Sequence, residues 1–554
     1  MADDNELVFL PLGGVGEIGM NMALYGYGPA DARTWMMVDC GITFAHESLP
    51  GVDVIFPDTR FIEEERANLA GIVLTHAHED HYGAVLELWP RLEKQVFATR
   101  FTAGLLAAKA EGMQGAPKVP VTVVGQGDRV TVGPFEVEYV ALSHSIPEPN
   151  ALAIRTPLGT VIHSGDWKID AEPGVGKAID LPRLAEIGRE GVRALICDST
   201  NALREGRSRS EAEVAKALKE VVAAAPGRVA VTLFSSNVAR IRAVGEAARA
   251  AGRSVVVVGR SLWRMIDVAT ECGYLGDLTF LEEEAYKDLP RQNLVLLCTG
   301  SQGESRAALA RIAGGDHRHI DLTKGDTVIF SSRTIPGNER AVNTVINQLC
   351  DKGVRIITDR EAPIHTSGHP CRDELRELYG LLKPEVAVPV HGEALHLTRH
   401  AELARILGVP EVMLAENGKM VRLAPGPAEI IDEAPVGVLY RDGDLIVDPD
   451  ESGVRERRKL SFAGAVFVSL LLDSKGNIIA DPDVAVIGLP DTDDVGEPFR
   501  AIVFDAVENA IHSIPRSRRR DPDLVGEAAR RAARAAVLER WGKKTHVVVM
   551  ASIV

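Results

Sequence analysis

Thr75-His76-Ala77-His78-Glu79-Asp80-His81 is the stretch that decides how this chain is read. Three imidazoles and two carboxylates follow directly on the apolar run Gly71-Ile72-Val73-Leu74. A borderline-soft divalent cation such as zinc prefers that mixture of nitrogen and oxygen donors. An extended His-x-His aims two rings the same way, so His76 and His78 can grip one ion. Asp80 and His81, at the turn into the next helix, are placed for a second. A polar loop facing water would need no further ligands, yet the chain supplies them. His144 closes the strand-like Glu136-Val137-Glu138-Tyr139-Val140-Ala141-Leu142-Ser143. Asp166 follows Thr160-Val161-Ile162-His163-Ser164-Gly165, and His391 follows Val386-Ala387-Val388-Pro389-Val390. Ligands at the carboxyl ends of strands mark the crevice of an α/β scaffold. The expectation is one ion on His76, His78 and His144 and another on Asp80, His81 and His391, with Asp166 between them. Paired ions roughly 3.5–4 Å apart are a recurrent device for hydrolysing phosphate esters.

The remaining composition narrows the class. A chain of 554 residues suggests about three or four domains. The six cysteines form no CxxC pair and sit mostly in apolar runs, which points to buried thiols in a reducing cytoplasm. The acidic N-terminus lacks a signal-peptide pattern, and no apolar run approaches the roughly 20 residues of a membrane span, so a cytoplasmic protein without membrane attachment is expected. Gly14-Val15-Gly16-Glu17-Ile18-Gly19 fits GxGxxG and has Asp39 about twenty residues on, the spacing of a dinucleotide fingerprint. A helix should then open at the last glycine. Instead aromatic and glycine breaks run from Met20 to Gly28, and Trp35-Met36-Met37-Val38-Asp39 reads as a strand. No nucleotide cofactor is expected, and Asp39 is read as a carboxylate that orients a ligand histidine from behind.

Further motifs are Val38-Asp39-Cys40-Gly41, Asp198-Ser199-Thr200-Asn201, Phe234-Ser235-Ser236-Asn237 and Thr299-Gly300-Ser301-Gln302-Gly303-Glu304. Ile335-Pro336-Gly337-Asn338-Glu339 and His365-Thr366-Ser367-Gly368-His369 complete the set. With the ligand motifs they resemble the metallo-β-lactamase superfamily, its β-CASP branch and, within that branch, the bacterial ribonuclease J family. The resemblance runs from near residue 7 to about 450 and more loosely to the end. It implies a metallo-β-lactamase αββα sandwich with an inserted β-CASP parallel α/β domain and a small C-terminal α/β domain. Strand and helix patterning sets the expected boundaries: residues 1–207 and 370–448 for the sandwich, 208–369 for the insert, 449–462 for a linker and 463–554 for the last domain. Pro425-Gly426-Pro427 also reads as linker.

By the same resemblance the chain is a two-metal ribonuclease. It would be a 5′→3′ exonuclease preferring 5′-monophosphate ends, with added endonuclease activity, in RNA decay and rRNA or mRNA maturation. His369 would protonate the leaving 3′-oxygen and Asp198 would orient it. Ser235, Ser236, His365, Thr366, Ser367 and Gly368 would hold the terminal phosphate, and Phe44 would pack on a base. Two Zn2+ per subunit are implied, with Mn2+ or Mg2+ able to substitute or add. So are an RNA substrate, a homodimer or homotetramer, and partners in an RNA-degradation complex. A DNA-processing β-CASP nuclease and a small-molecule metallohydrolase of the glyoxalase or lactonase kind remain as alternatives.

The net charge of −16 opposes nucleic-acid binding, so contact must rest on local positive surface and on the metals. Candidates are Arg240-Ile241-Arg242, Arg260 with Arg264, Arg455-Glu456-Arg457-Arg458-Lys459 and Arg516-Ser517-Arg518-Arg519-Arg520. The segment from Glu205 to Glu211 is more basic than the family pattern, which bears on the domain junction. His163 is expected to be a buried, hydrogen-bonded neighbour of the site. His317, His319, His396 and His400 are read as surface or helix residues.

Overall fold

The computed structural model describes residues 4–46 and 48–554. It forms two compact units, Met1–Thr43 with Phe56–Gly437, and Phe44–Ile55 with Val438–Val554.

In the first unit two sheets form the halves of a sandwich, each drawing strands from before and after the insert. One sheet runs in the order Glu429–Glu433, Lys419–Ala424, Glu6–Gly13, Met22–Gly28, Thr34–Val38, Leu69–Val73, Val96–Ala98, Val121–Val123. The other runs Arg129–Val132, Phe135–Ala141, Asn150–Thr156, Gly159–His163, Ala194–Asp198, Val386–Val390, Glu411–Val412. Period-two alternation explains how each strand serves two layers. Ala194 and Ile196 face the inter-sheet core with Phe9, Tyr25 and Val73, while Leu195 and Cys197 join the layer that includes Leu184, Leu375, Leu378 and Leu403. With both faces covered, the strands read as continuous apolar runs.

The insert leaves the sandwich after Ala194–Asp198 and returns before Val386–Val390, and these two strands are parallel neighbours with Asp198 opposite Val390. Its own sheet is parallel, in the order Phe280–Leu281, Ser254–Val258, Leu294–Cys298, Val229–Thr232, Thr327–Phe330, Arg355–Ile357. The GxGxxG run leads from strand Glu6–Gly13 through the short pairing of Val15–Gly16 with Gly392–Glu393 into strand Met22–Gly28, and no helix opens there.

Two expected linkers are folded. Pro425-Gly426-Pro427 joins the antiparallel strands Lys419–Ala424 and Glu429–Glu433, because register pairing continues on both sides of the turn. Residues 449–462 hold the 3-10 turn Pro449–Glu451 and most of the helix Val454–Ala463, where Arg457 bonds the Pro50 carbonyl and Asp442. The second unit also contains the sheet Ile478–Ile487, Ala465–Leu472, His546–Ile553. One face of it packs on the helices Phe499–Ser513 and Pro522–Trp541 through Val466, Val468, Val503, Val507 and Val525.

Candidate metal centre

Strand Leu69–Val73 ends two residues before Thr75, and the helix Glu79–Tyr82 starts just after His78. The intervening turn places His76, His78, Asp80 and His81 at one end of the sandwich, while Glu79 accepts from Tyr82 Oη and Lys109 Nζ instead. His144 and Asp166 arrive from the second sheet and His391 from its neighbouring strand. The structure brings His76, His78, His144 and Asp166 together, and separately Asp80, His81, Asp166 and His391, with the donor atoms in each group within 4.8 Å of one another. Asp166 Oδ2 lies 3.2 Å from His81 Nε2, 3.5 Å from His391 Nε2, 3.7 Å from His144 Nε2 and 3.8 Å from His76 Nε2. Its Oδ1 is buried without a partner.

Four of the five histidines, His76, His81, His144 and His391, are oriented from behind. His81 Nδ1 donates to Asp39 Oδ2 at 2.7 Å, and Asp39 Oδ1 accepts the Thr75 amide at 2.8 Å. Thr75 Oγ1 lies 3.0 Å from His76 Nδ1. His144 Nδ1 donates to the Gly368 carbonyl at 2.6 Å, and His391 Nδ1 to Asn21 Oδ1 at 2.9 Å. Such partners fix the tautomer that presents the other nitrogen to a metal. Asp39 and His391 both have positive φ (62° and 52°), a strained backbone state that the surrounding contacts hold in place. Close approach also requires glycine at Gly41, where a Cβ would lie 1.7 Å from the Asp80 carbonyl oxygen.

Electrostatics fits a cation. Burial, together with neighbouring imidazoles, holds His76 and His144 well below the ordinary histidine range, and burial brings His78 down to about 4. His78 Nδ1 lies 3.2 Å from His76 Nε2 and 3.0 Å from His144 Nε2, so three imidazole nitrogens converge where one cation could sit. Burial would lower His81 too, but Asp166, Asp80 and Asp39 outweigh it and push its pKa well above the ordinary histidine range. The second quartet thus demands positive charge. Donor set, convergence and the orphaned Asp166 oxygen all fit divalent metal.

Beside this centre His369 Nδ1 donates to Asp198 Oδ2 at 2.7 Å and lies 4.0 Å from Asp166 Oδ2. Burial lowers the His369 pKa, yet Asp198, Asp166 and Asp80 carry it up to about 9. Asp198 is itself fixed by the Thr200 amide on Oδ1. Ser235, Ser236 and His365 are partly exposed, and His365 Nδ1 is buried without a partner. Ser367 Oγ accepts from Asn201 Nδ2 at 2.8 Å, which leaves its proton to donate. The Thr366 hydroxyl does not belong with this group, since it donates to the Arg209 carbonyl at 2.8 Å in a buried position. Phe44 is 69 % exposed and lies in the second unit.

One other reading changes. Arg240 is not a surface cation: it is fully buried, bidentate on Glu211 and bonded to the Ser331 and Ile364 carbonyls. His400 lies on a helix but is completely buried, its ring bridging Ser199 Oγ and Tyr379 Oη. His163 is buried with Nδ1 2.9 Å from Tyr25 Oη, as expected. Asn21, Thr75 and Asn201 carry supporting roles that local sequence did not assign, because their partners are set by chain crossings. Asn21 and His391 are 370 residues apart.

This sandwich, with its insert and its paired His–Asp quartets, defines a metal-binding hydrolase of the metallo-β-lactamase class. Family models match residues 34–185 (Beta-lactamase superfamily domain), 226–349 (Ribonuclease J, beta-CASP domain), 353–415 (Zn-dependent metallo-hydrolase RNA specificity domain) and 452–554 (Ribonuclease J C-terminal domain). The chain is 56 % identical to Ribonuclease J of Sinorhizobium meliloti over 99 % of its own length and 98 % of that protein's. It is 38 % identical to Ribonuclease J of Corynebacterium glutamicum, covering 100 % and 76 %, and 38 % identical to that of Thermus thermophilus, covering 87 % and 84 %. A solved structure of a protein of unknown function from Enterococcus faecalis shares the fold, with a TM-score of 0.52 at 16 % identity over 75 % of this chain and 100 % of that one. The chain belongs to the ribonuclease J family and is a ribonuclease of the hydrolase class.

Proposed function

We propose that this enzyme degrades RNA from the 5′ end, preferring a 5′-monophosphate, and also cuts internally, serving RNA decay and the maturation of rRNA and mRNA. The observation that carries the reading is one hydrogen bond, His144 Nδ1 to the Gly368 carbonyl. It ties residues 365–369 directly to the metal centre, so a terminal phosphate beside His365 and Ser367 has its next phosphodiester close to Asp166. His76, His78 and His144 would hold one ion and Asp80, His81 and His391 the other, Asp166 joining both, with zinc favoured by the donors and manganese or magnesium as substitutes. When bound, the cations supply Lewis-acid charge beside the scissile phosphate. Water adds to phosphorus and the bond to the 3′-oxygen breaks. His369, with Nδ1 held by Asp198, gives its Nε2 proton to that oxygen. The shortened RNA keeps a 5′-monophosphate and is again a substrate.

Exposed apolar side chains on one face of the C-terminal sheet, Leu471, Ile487 and Met550, support self-association as a homodimer or homotetramer, and RNA-degradation partners could use the same unit. The test is digestion of one RNA bearing a 5′-monophosphate or a 5′-triphosphate, labelled at either end. Early mononucleotide release from the monophosphate form alone supports the proposal. Equal internal fragments from both forms would make the enzyme chiefly an endonuclease. Light scattering of the intact chain reads the oligomeric state.

A further inference from the structure

The insert's sheet has a reversal in its winding at a defined place. From Val229–Thr232 the chain moves toward one edge, to Ser254–Val258; from the adjacent Thr327–Phe330 it moves toward the other, to Arg355–Ile357. In open parallel sheets such a reversal opens a crevice at the carboxyl ends of the two strands, where ligands bind. Here the strands are in register, Thr232 opposite Phe330, and they lead into Ser235-Ser236 and into Ser331-Ser332-Arg333. Ser331 Oγ donates to the Ile364 carbonyl at 2.6 Å, which places the second loop against His365. The helix Val238–Ala250 opens just after Ser236, and its amino end favours an anion.

Three cations sit on segments tied to residues 364–366: Arg240 bonds the Ile364 carbonyl, Lys168 shares the Arg209 carbonyl with Thr366, and Arg333 follows Ser331, which also bonds Ile364. Arg240 is closed by buried Glu211 and Lys168 by buried Asp170 at 2.8 Å. Arg333 is exposed and makes no side-chain hydrogen bond or ion pair among the described residues. Its backbone, in contrast, is fixed: Gln302 Nε2 donates to the Arg333 carbonyl at 2.9 Å, and Gln302 Oε1 accepts the Ile335 amide at 2.8 Å. A pinned backbone carrying an uncommitted guanidinium, in the loop that Ser331 holds against Ile364 and His365, is an arrangement for a multiply charged tetrahedral oxyanion such as a phosphate monoester.

We propose that Arg333 is a specificity residue that contacts the 5′-terminal phosphate of the RNA, on the side of the crevice opposite Ser235 and Ser236. The inference rests on the 5′-monophosphate reading above. It is tested with Arg333→Ala, Arg333→Lys and, as a pocket control, His365→Ala, each assayed on one RNA carrying a 5′-monophosphate or a 5′-hydroxyl. Loss of a charge-assisted contact should lower the kcat/KM ratio of monophosphate over hydroxyl RNA about tenfold in Arg333→Ala, mainly through KM. Arg333→Lys should recover part of it, as a point charge without the fork. The dependence of log(1/KM) on log salt should become shallower by about 0.7 in Arg333→Ala, the share of one phosphate contact on a single strand. If His365→Ala loses the preference while Arg333→Ala keeps it, the pocket stands and Arg333 lies outside it. Equal slowing of both RNAs by Arg333→Ala assigns it to an internal phosphate and overturns the proposal. If neither variant changes the ratio, the terminal-phosphate reading fails and this one with it.

Discussion

The metal centre and the crevice of the insert both lie at carboxyl ends of strands, yet they are built by opposite rules. In the centre, His76, His81, His144 and His391 each have a partner from behind, and what is missing is positive charge in front. In the crevice, His365 Nδ1 has no partner and Arg333 no counter-ion, and what is missing is negative charge. A cation site needs particular side chains held stiffly; an anion site can be assembled from hydroxyls, a guanidinium and helix ends.

The largest break in that comparison is loss of the cation. Chelation, or Asp166→Asn, should reduce RNA cleavage by on the order of 10³-fold or more, since it removes Lewis-acid stabilisation; metal content and cleavage rate should fall together. His369→Ala should come next, about 10²–10⁴-fold in kcat with metal retained, as expected for a lost general acid; full metal content with slow cleavage distinguishes it from a ligand variant. Asp39→Asn should weaken metal affinity about 10–100-fold, because only the support of His81 is altered, and titration with metal should restore its rate. The smallest effect belongs to Thr366→Val. Its hydroxyl serves the Arg209 carbonyl, so it should lose about 1 kcal/mol of stability and leave discrimination between 5′ ends unchanged. A shift in that discrimination would return Thr366 to the pocket. On stability alone, Arg240→Ala should remove about 3–5 kcal/mol by leaving Glu211 buried and unpaired, read by denaturant unfolding.

The same contrast explains what was legible in the sequence. Histidine spacing and apolar runs ending in His144, Asp166 and His391 foretold which side chains gather, because metal donors are few and strands deliver them in order. The alternation of helices and strands after Ser210 foretold the parallel insert. Arg240 misled because charge in a sequence says nothing about a buried acceptor 29 residues away. His400 sits on a helix, within the reading made from sequence, but its burial was not legible there, since Ser199 is 201 residues distant and Tyr379 lies on another helix. Arg333 gave no signal, since its importance depends on which strands are neighbours.

Arg240 also has a consequence for how this architecture is assembled. One guanidinium holds Glu211, at the start of the insert, and the carbonyl of Ile364, near its end. With its two ends fastened together, the insert leaves and re-enters the sandwich at one place, between the adjacent strands Ala194–Asp198 and Val386–Val390, and further bonds such as His144 to Gly368 and Tyr274 to Glu148 seat it on the sandwich. Loop-closure entropy grows slowly with length, so residues can be added within the insert at small entropic cost while the host strands keep their register.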